Sequence, residues 1–189
     1  CPMAEQNTLY ADYWLPMERV LGNLSFDAFL HDWMVVTLKK PVTKGRAMYA
    51  EFKRFAADSS LLRMERVRNL LENMLEYAKY YAAIKGVVAA GSGDMNVGQR
   101  LGLIQKLDST VTDPLVMYMF AIWRHHRISN DGLLRMLADL ESYLFRRMIC
   151  SVSSNGLNKL VPSLIAKLES AEHDLDETFA ALLITETAK

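Results

Sequence analysis

Apolar residues recur at steps of three and four along almost the whole sequence, which is the spacing of one face of an α-helix. No segment shows the sustained alternation of apolar and polar residues that a half-buried β-strand requires. The pattern therefore predicts an all-α fold, a multi-helix bundle of about eight to nine helices. We expect helices from Phe26 to Leu38, through Met48 to Phe55, from Ser59 or Ser60 to Gly86, from Gln99 to Leu107, from Pro114 to Trp123, from Asn130 to Cys150, from Leu157 to Leu168 and from Leu175 to Leu183.

Several of these helices are flanked by residues that are typical of a helix start or stop. Ser25 and Ser129 each precede a helix and can accept a hydrogen bond from an amide of its first turn. Asp113 followed by Pro114 predicts a helix start, because aspartate can accept from unpaired amides and proline has no amide to lose. Gly86 is typical of the residue that closes a helix.

The run LVMYMFAIW, from Leu115 to Trp123, is apolar on every side of a helix. A helix without a polar face has to be surrounded by protein, so we expect this one at the centre of the bundle. It is also the longest uninterrupted apolar run, and it is far shorter than the roughly 20 residues that cross a bilayer. The sequence therefore predicts no membrane partner.

The helix from Asn130 to Cys150 has one strongly apolar face. Arg146 is expected on the opposite side, in water, and Arg147 at the flank of the face beside Tyr143. Cations in the last turns of a helix also interact favourably with the exposed carbonyl groups there. The apolar face consists of Leu133, Leu137, Leu140, Leu144 and Met148, with Leu134 and Phe145 at one edge.

Glu141 falls inside this apolar face. An unpaired carboxylate in such a place costs free energy, so Glu141 needs a partner. The loop SVSSNG, residues 151–156, offers hydroxyl groups and amides, and Lys159 offers an ammonium group. We predict that Glu141 bridges two helices.

The segment VVAAGSGDMNVG, residues 87–98, is rich in glycine and predicts a flexible connection. The chain is expected to form a single helical domain over residues 1–189, and two lobes, 1–86 and 99–189, are the alternative division. The sequence begins with Cys-Pro-Met and shows no basic and apolar leader. We therefore expect a fragment of a longer protein.

The 189 residues are 51% hydrophobic and carry no net charge, which fits one domain with a sizeable core. Residues 39–68 hold nine Lys or Arg against three Asp or Glu, whereas residues 169–189 hold six acidic residues and one lysine. This asymmetry fits either an anionic partner on the basic side or ordinary solvated faces. Two cysteines are too few for a disulfide framework, which favours a reducing, cytoplasmic compartment.

The sequence predicts no catalytic, cofactor or metal site. The adjacent histidines of RHHR, residues 124–127, point about 100° apart on a helix and favour a cationic helix end over a shared metal ion. His31 and His173 are isolated from other metal-binding residue types at suitable spacing. Cys150 lacks a recognisable base and is expected to be a small buried side chain. An enzyme that uses Glu141 or Cys150 is the weakest alternative.

The run LESYLFRRMICSVSSNGLNKLVPSLIAKL, together with YWLPMERVL, FLHDWM and AMYAEFKRF earlier in the chain, resembles the helical middle region of GmrSD-type restriction endonucleases. Proteins of that family join a ParB/sulfiredoxin-like domain, which bears an Asp-Gly-Gln-Gln-Arg motif, to a C-terminal His-Me finger nuclease. The similarity covers nearly the whole chain in order. Neither catalytic signature occurs in this sequence, so the resemblance implies a non-catalytic part of a DNA-cleaving protein.

The resemblance places several residues at family signature positions without defining their role. They are Arg146, Arg147, Asn155, Asn158 and Lys159. Helix termination and loop anchoring is one role, and the alternatives are contact with nucleic-acid phosphates or docking of a neighbouring domain. The basic segment KKPVTKGR offers further cations for phosphate contact, namely Lys39, Lys40, Lys44 and Arg46.

These observations favour a non-catalytic helical linker or scaffold domain of a modification-dependent DNA restriction nuclease. Such a domain would dock its flanking domains and contact the DNA backbone through the cations named above. A free-standing helical protein–protein interaction domain is the alternative. The complete open reading frame discriminates between them, because only the first requires the two catalytic signatures beside this chain.

Overall fold

The computed structural model describes residues 3–57, 63–86, 95–107 and 110–187, and within these ranges the protein is all-α without any β-strand. The predicted fold class is therefore confirmed. No helix in these ranges combines the length and the hydrophobicity needed to cross a membrane. The α-helices are α1 (Met3–Leu9), α2 (Leu15–Leu21), α3 (Phe26–Leu38), α4 (Arg46–Ala57), α5 (Arg63–Ile84), α6 (Met95–Lys106), α7 (Asp113–Arg124), α8 (Asn130–Ile149), α9 (Leu157–Ser170) and α10 (Leu175–Thr187).

The predicted helix ends are largely confirmed. Ser25 Oγ accepts a hydrogen bond of 3.3 Å from the amide of Ala28, and Ser129 Oγ accepts one of 3.1 Å from the amide of Gly132. Gly86 follows α5 with a φ of +72°, a conformation that glycine adopts without steric cost.

The expectation that Asp113 caps α7 is wrong. Asp113 is the first residue of the helix, the cap position belongs to Thr112, and the Asp113 carboxylate accepts a hydrogen bond from the Lys85 ammonium group. The physical reason is that Asp113 is buried, so its carboxylate is best stabilised by a nearby cation.

Two helices that are not among the predicted ones, α1 and α2, precede Phe26 and are joined by a π-helical turn over Tyr10–Trp14. Pro16 is the second residue of α2 and has no amide hydrogen to donate. Its ring would clash with the carbonyl group of Asp12 in a regular α-helix, and the wider π turn relieves such a contact.

Helix α7 lies at the centre of the bundle, as its sequence predicts. Every residue from Asp113 to Ile122 is buried, and helices α3, α5, α8 and α9 pack around it. The Phe120 ring lies 6.1 Å from that of Tyr80 in α5 and 5.8 Å from that of Trp123, measured between ring centroids. The buried apolar residues form one continuous core that extends from Met17 in α2 to Leu183 in α10.

Two predictions at the end of α8 are wrong, because Met148 and Cys150 are both exposed. The apolar face of α8 continues beyond the helices that cover it. Another difference is that α6 begins at Met95, so residues 95–98 of the predicted glycine-rich connection are helical. Residues 87–94 of that connection, and the predicted helix start at Ser59 or Ser60, lie outside the described residues.

Replacing a buried and an exposed phenylalanine compares how much α7 and the end of α8 contribute to the free energy of unfolding. Phe120 is 1% exposed and Phe145 is 48% exposed. We expect Phe120→Ala to lower the free energy of unfolding by about 3–5 kcal/mol, because the change removes apolar contacts and leaves a cavity. Phe145→Ala is expected to change it by about 0.5 kcal/mol or less. Urea denaturation measures both, and equal losses would contradict the central position of α7.

Candidate functional sites at the end of helix α8 and in a polar cleft

Arg147 anchors the turn that follows α8. Its Nη2 donates to the carbonyl oxygen of Ser153 at 2.5 Å, and its Nη1 donates to the Tyr143 hydroxyl group at 3.3 Å. The guanidinium group also lies over the Tyr143 ring, 5.6 Å from the centroid. These contacts account for the position of Arg147 beside Tyr143, and they correspond to the loop-anchoring role among the alternatives that the sequence leaves open.

The other signature residues point in different directions. Arg146 is exposed on the far side of α8, as predicted, and Lys159 is exposed in α9. Asn155 is exposed in the 3₁₀ turn Ser154–Gly156, where its amide donates to Ser153 Oγ at 3.3 Å. Asn158 lines a cleft between α3, α5 and α9. The five residues therefore do not form a single site.

Glu141 bridges two helices, as predicted, but its partner is not the one expected. Its Oε2 accepts a hydrogen bond of 2.6 Å from Arg100 Nη1, which belongs to α6. Neither Lys159 nor the loop after α8 takes this place. The ion pair joins α6 to α8 on the face that carries Glu141.

The basic segment after α3 is partly neutralised within the protein. Lys39 forms an ion pair with Glu169 in α9, and Lys40 Nζ lies 2.5 Å from Glu51 Oε1 in α4. Lys44 is exposed and lines the cleft, and Arg46 is exposed at the start of α4. Three of the seven predicted contact residues, Lys39, Lys40 and Arg147, thus hold partners inside the molecule.

Four large apolar side chains are exposed where α8 ends and its turn begins. Their exposed fractions are 48% for Phe145, 54% for Met148, 65% for Ile149 and 48% for Val152. At about 100° per residue, the first three fall on one face of the helix. We call these four residues the α8-end patch. They stand on the run that carries the family resemblance.

A cleft of about 640 Å³ opens between α3, α5, α9 and the N-terminal end of α7. The loop after α3 forms part of its rim. No local pattern in the sequence marks this site, because its charged residues come from separate segments of the chain and only folding brings them together. Its polar lining includes His31, Asp32, Lys44, Lys85, Asp113 and Asn158.

His31 and Asp32 form a hydrogen-bonded pair in the wall of the cleft. His31 Nδ1 lies 2.8 Å from Asp32 Oδ1, and His31 Nε2 lies 3.1 Å from the carbonyl oxygen of Val42. A carbonyl oxygen only accepts, so Nε2 carries a hydrogen, and one further proton is required between Nδ1 and Oδ1. The pair is then neutral overall. Burial raises the pKa of Asp32, and the hydrogen bond with His31 only partly offsets that effect.

Lys85 and Asp113 form a second pair in the same wall. The Lys85 ammonium group donates to Asp113 Oδ2 and lies 5.3 Å from the centroid of the Tyr81 ring. Burial raises the pKa of Asp113 to about 6, because it outweighs the stabilising hydrogen bond and charge of Lys85. Asp32 contributes in the same direction through its negative charge.

The RHHR run lies at the end of α7, which closes at Arg124. His125 follows the helix, and its Nε2 lies 3.1 Å from Glu76 Oε1. In the part of the chain that the structure describes, no three His, Cys, Asp or Glu residues are grouped so that they could hold a metal ion.

Comparison with protein-family models, with curated proteins and with solved structures gives no match to this chain.

The raised pKa of Asp113 predicts how stability depends on pH. Its pKa is about 6 in the folded protein against an ordinary value of 3.8, so the folded protein binds this proton more tightly. The resulting stabilisation is complete below pH 3.8 and is lost as the pH rises through 6. Between about pH 5 and pH 7, we expect Asp113 to account for a loss of about 1 kcal/mol in the free energy of unfolding.

Asp113→Asn should remove this part of the loss, and urea denaturation at both pH values measures it. Asp176→Asn is the matched control. Burial raises the pKa of Asp176, but its hydrogen bonds with Arg135 and with backbone amides together lower it, so its contribution is already complete at pH 5. An Asp113→Asn protein with the same pH dependence as the unchanged protein would contradict the assignment.

Proposed function

We propose that this chain is a non-catalytic helical docking module, a linker or scaffold domain of a modification-dependent DNA restriction nuclease. The observation that carries the proposal is the α8-end patch. It lies on the same run of sequence as the residues that the family resemblance marks. The proposed function is to hold a neighbouring domain against this surface.

The patch extends a face of α8 that is already used for helix packing. Glu141 pairs with Arg100 of α6. It precedes Phe145 by four residues and Met148 by seven. Residues at these steps share one helix face. Helix α6 therefore covers the earlier part of the face, and the later part is left to solvent.

Exposed apolar side chains that are scattered singly need no explanation, but a contiguous group of them is typical of an interaction site. Phe145, Met148 and Ile149 supply large apolar area, which is the property of the centre of a protein interface. Arg146 is remote from the packed face of α8, but it lies about 60° around the helix from Ile149, at the edge of the patch, and supplies a charge for its rim. The patch therefore suits a protein surface that combines apolar and acidic side chains.

Contact with the DNA backbone has weaker support. Lys39, Lys40 and Arg147 hold intramolecular partners. Four exposed cations remain candidates for phosphate contact, and they stand on three helices and in the loop before α4, namely Lys44, Arg46, Arg146 and Lys159. Such a contact is an auxiliary part of the proposal.

The complete open reading frame gives the first test of the proposed function. We expect an Asp-Gly-Gln-Gln-Arg motif before this chain and a His-Me finger nuclease after it. An open reading frame without either would contradict the nuclease assignment and would leave the free-standing interaction domain as the function of the patch.

The second part of the test measures binding between this chain and each adjoining domain, produced as separate proteins, by calorimetry. The paired change Met148→Asp and Ile149→Asp should weaken the complex at least about tenfold, because it places charges in the apolar centre of the interface. Ile184→Asp is the control, since Ile184 is 69% exposed on α10 and lies outside the patch. Equal weakening by Ile184→Asp would contradict the location of the docking surface.

Titration of a labelled DNA duplex separates the auxiliary contact from docking. Four phosphate contacts predict a slope of about −3.6 in a plot of log affinity against log salt concentration. No binding at about 50 mM salt, where such contacts are strong, would exclude the DNA contact and leave the docking proposal intact.

A further inference from the structure

We propose that the cleft between α3, α5, α7 and α9 binds a small aliphatic anion, a carboxylate or phosphate group joined to an apolar chain. This site is separate from the docking surface, because no residue of the α8-end patch lines the cleft. The proposal therefore stands or falls independently of the proposed function.

The cleft has the size of a small-molecule site. Its volume of about 640 Å³ falls within the range of about 300–1,000 Å³ that is usual for such sites. Most of its walls are helices that also pack around the buried helix α7. The cavity is therefore held open by the core itself.

The buried polar residues of the protein gather at this cleft. Within the described residues, the buried polar or charged side chains are Asp32, Thr112 and Asp113. Two of them line the cleft, and Thr112 stands next to Asp113. Apolar residues of similar volume commonly give equal or greater stability than a buried ion pair. The concentration of buried charge in one cavity therefore favours ligand binding.

The balance of charge in the lining favours an anion. The Asp32 carboxylate is matched by His31, and the Asp113 carboxylate is matched by Lys85. Lys44 is exposed at the rim, close enough to affect Asp32, and it has no ion pair among the residues that the structure describes. Among the described residues of the lining, the Lys44 ammonium group is thus a positive charge that no carboxylate matches.

The start of α7 reinforces this preference. Asp113 and Pro114, the first two residues of the helix, both line the cleft. The N-terminal end of a helix carries a partial positive charge, which stabilises an anion nearby. Lys44 and this end of the helix therefore both attract a negatively charged group.

The remaining lining indicates an aliphatic body for the ligand. It is formed mostly by valine and proline side chains, such as Val35, Val161 and Pro162, together with Ala28 and Thr110. Tyr81 is the aromatic residue of the lining, and the Lys85 ammonium group lies over its ring. That ring face is therefore not open for stacking against a nucleobase.

Hexanoate is a suitable probe, because it joins one carboxylate to a short apolar chain. With eight non-hydrogen atoms, it is expected to bind with a dissociation constant of about 1 mM. Titration followed by ¹H–¹⁵N correlation spectra of the full chain should shift the amides of Val42, Val111 and Val161. Hexyl phosphate, titrated in the same way, shows whether a phosphate or a carboxylate is preferred.

Two variants test the role of charge, each with a matched control. Lys44→Ala should weaken hexanoate binding about fivefold or more, whereas Lys40→Ala, in the same loop but outside the cleft, should leave it unchanged. Asn158→Asp should weaken binding by adding a negative charge to the lining. Asn155→Asp adds the same charge three residues earlier, in the 3₁₀ turn before α9 and away from the cleft, and should have no effect. All four positions are exposed, so these variants are expected to fold.

Three results would overturn the proposal. The first is the absence of shifts in the cleft amides at about 20 mM hexanoate, well above the expected dissociation constant. The second is equal binding of hexylammonium, which has the same chain and the opposite charge. The third is equal binding by the Lys44→Ala and Lys40→Ala proteins.

Discussion

Helix α7 has no polar face, so it is stable only when protein covers it on every side. Helices α3, α5, α8 and α9 supply that cover, and each must present an apolar face toward the centre. This requirement accounts for the periodicity seen throughout the sequence. It also explains why the core is continuous from α2 to α10, although the chain between α5 and α6 includes a glycine-rich segment.

The same burial creates the polar cleft. Because α7 is covered from its first turn, Asp113 is carried into the interior, where its carboxylate requires the Lys85 ammonium group. The surrounding helices leave space at this end of α7, and His31 and Asp32 line it. The raised pKa of Asp113 is thus a consequence of how α7 is packed. The α8-end patch has the opposite origin, since it lies where α8 is left uncovered.

Local patterns in the sequence predict the fold well, but they do not reveal contacts between residues that are far apart in the sequence. Helical periodicity and the Ser25 and Ser129 caps depend on neighbours along the chain, which the sequence displays directly. The pairing of Arg100 with Glu141 spans 41 residues, and that of Lys85 with Asp113 spans 28. Periodicity also says which face of a helix is apolar, but not how far the neighbouring helices extend along it. Periodicity therefore predicts Met148 in the core, whereas the structure leaves it exposed.

Native-state hydrogen exchange tests the central claim about α7 most directly. If all sides of α7 are covered, its amides exchange only when the whole protein unfolds, so their free energy of exchange equals the free energy of unfolding from urea denaturation. Amides in the last turn of α8 should exchange at a distinctly lower free energy. Exchange of the α7 amides through local opening, at a free energy below that of the neighbouring helices α5 and α9, would contradict the account.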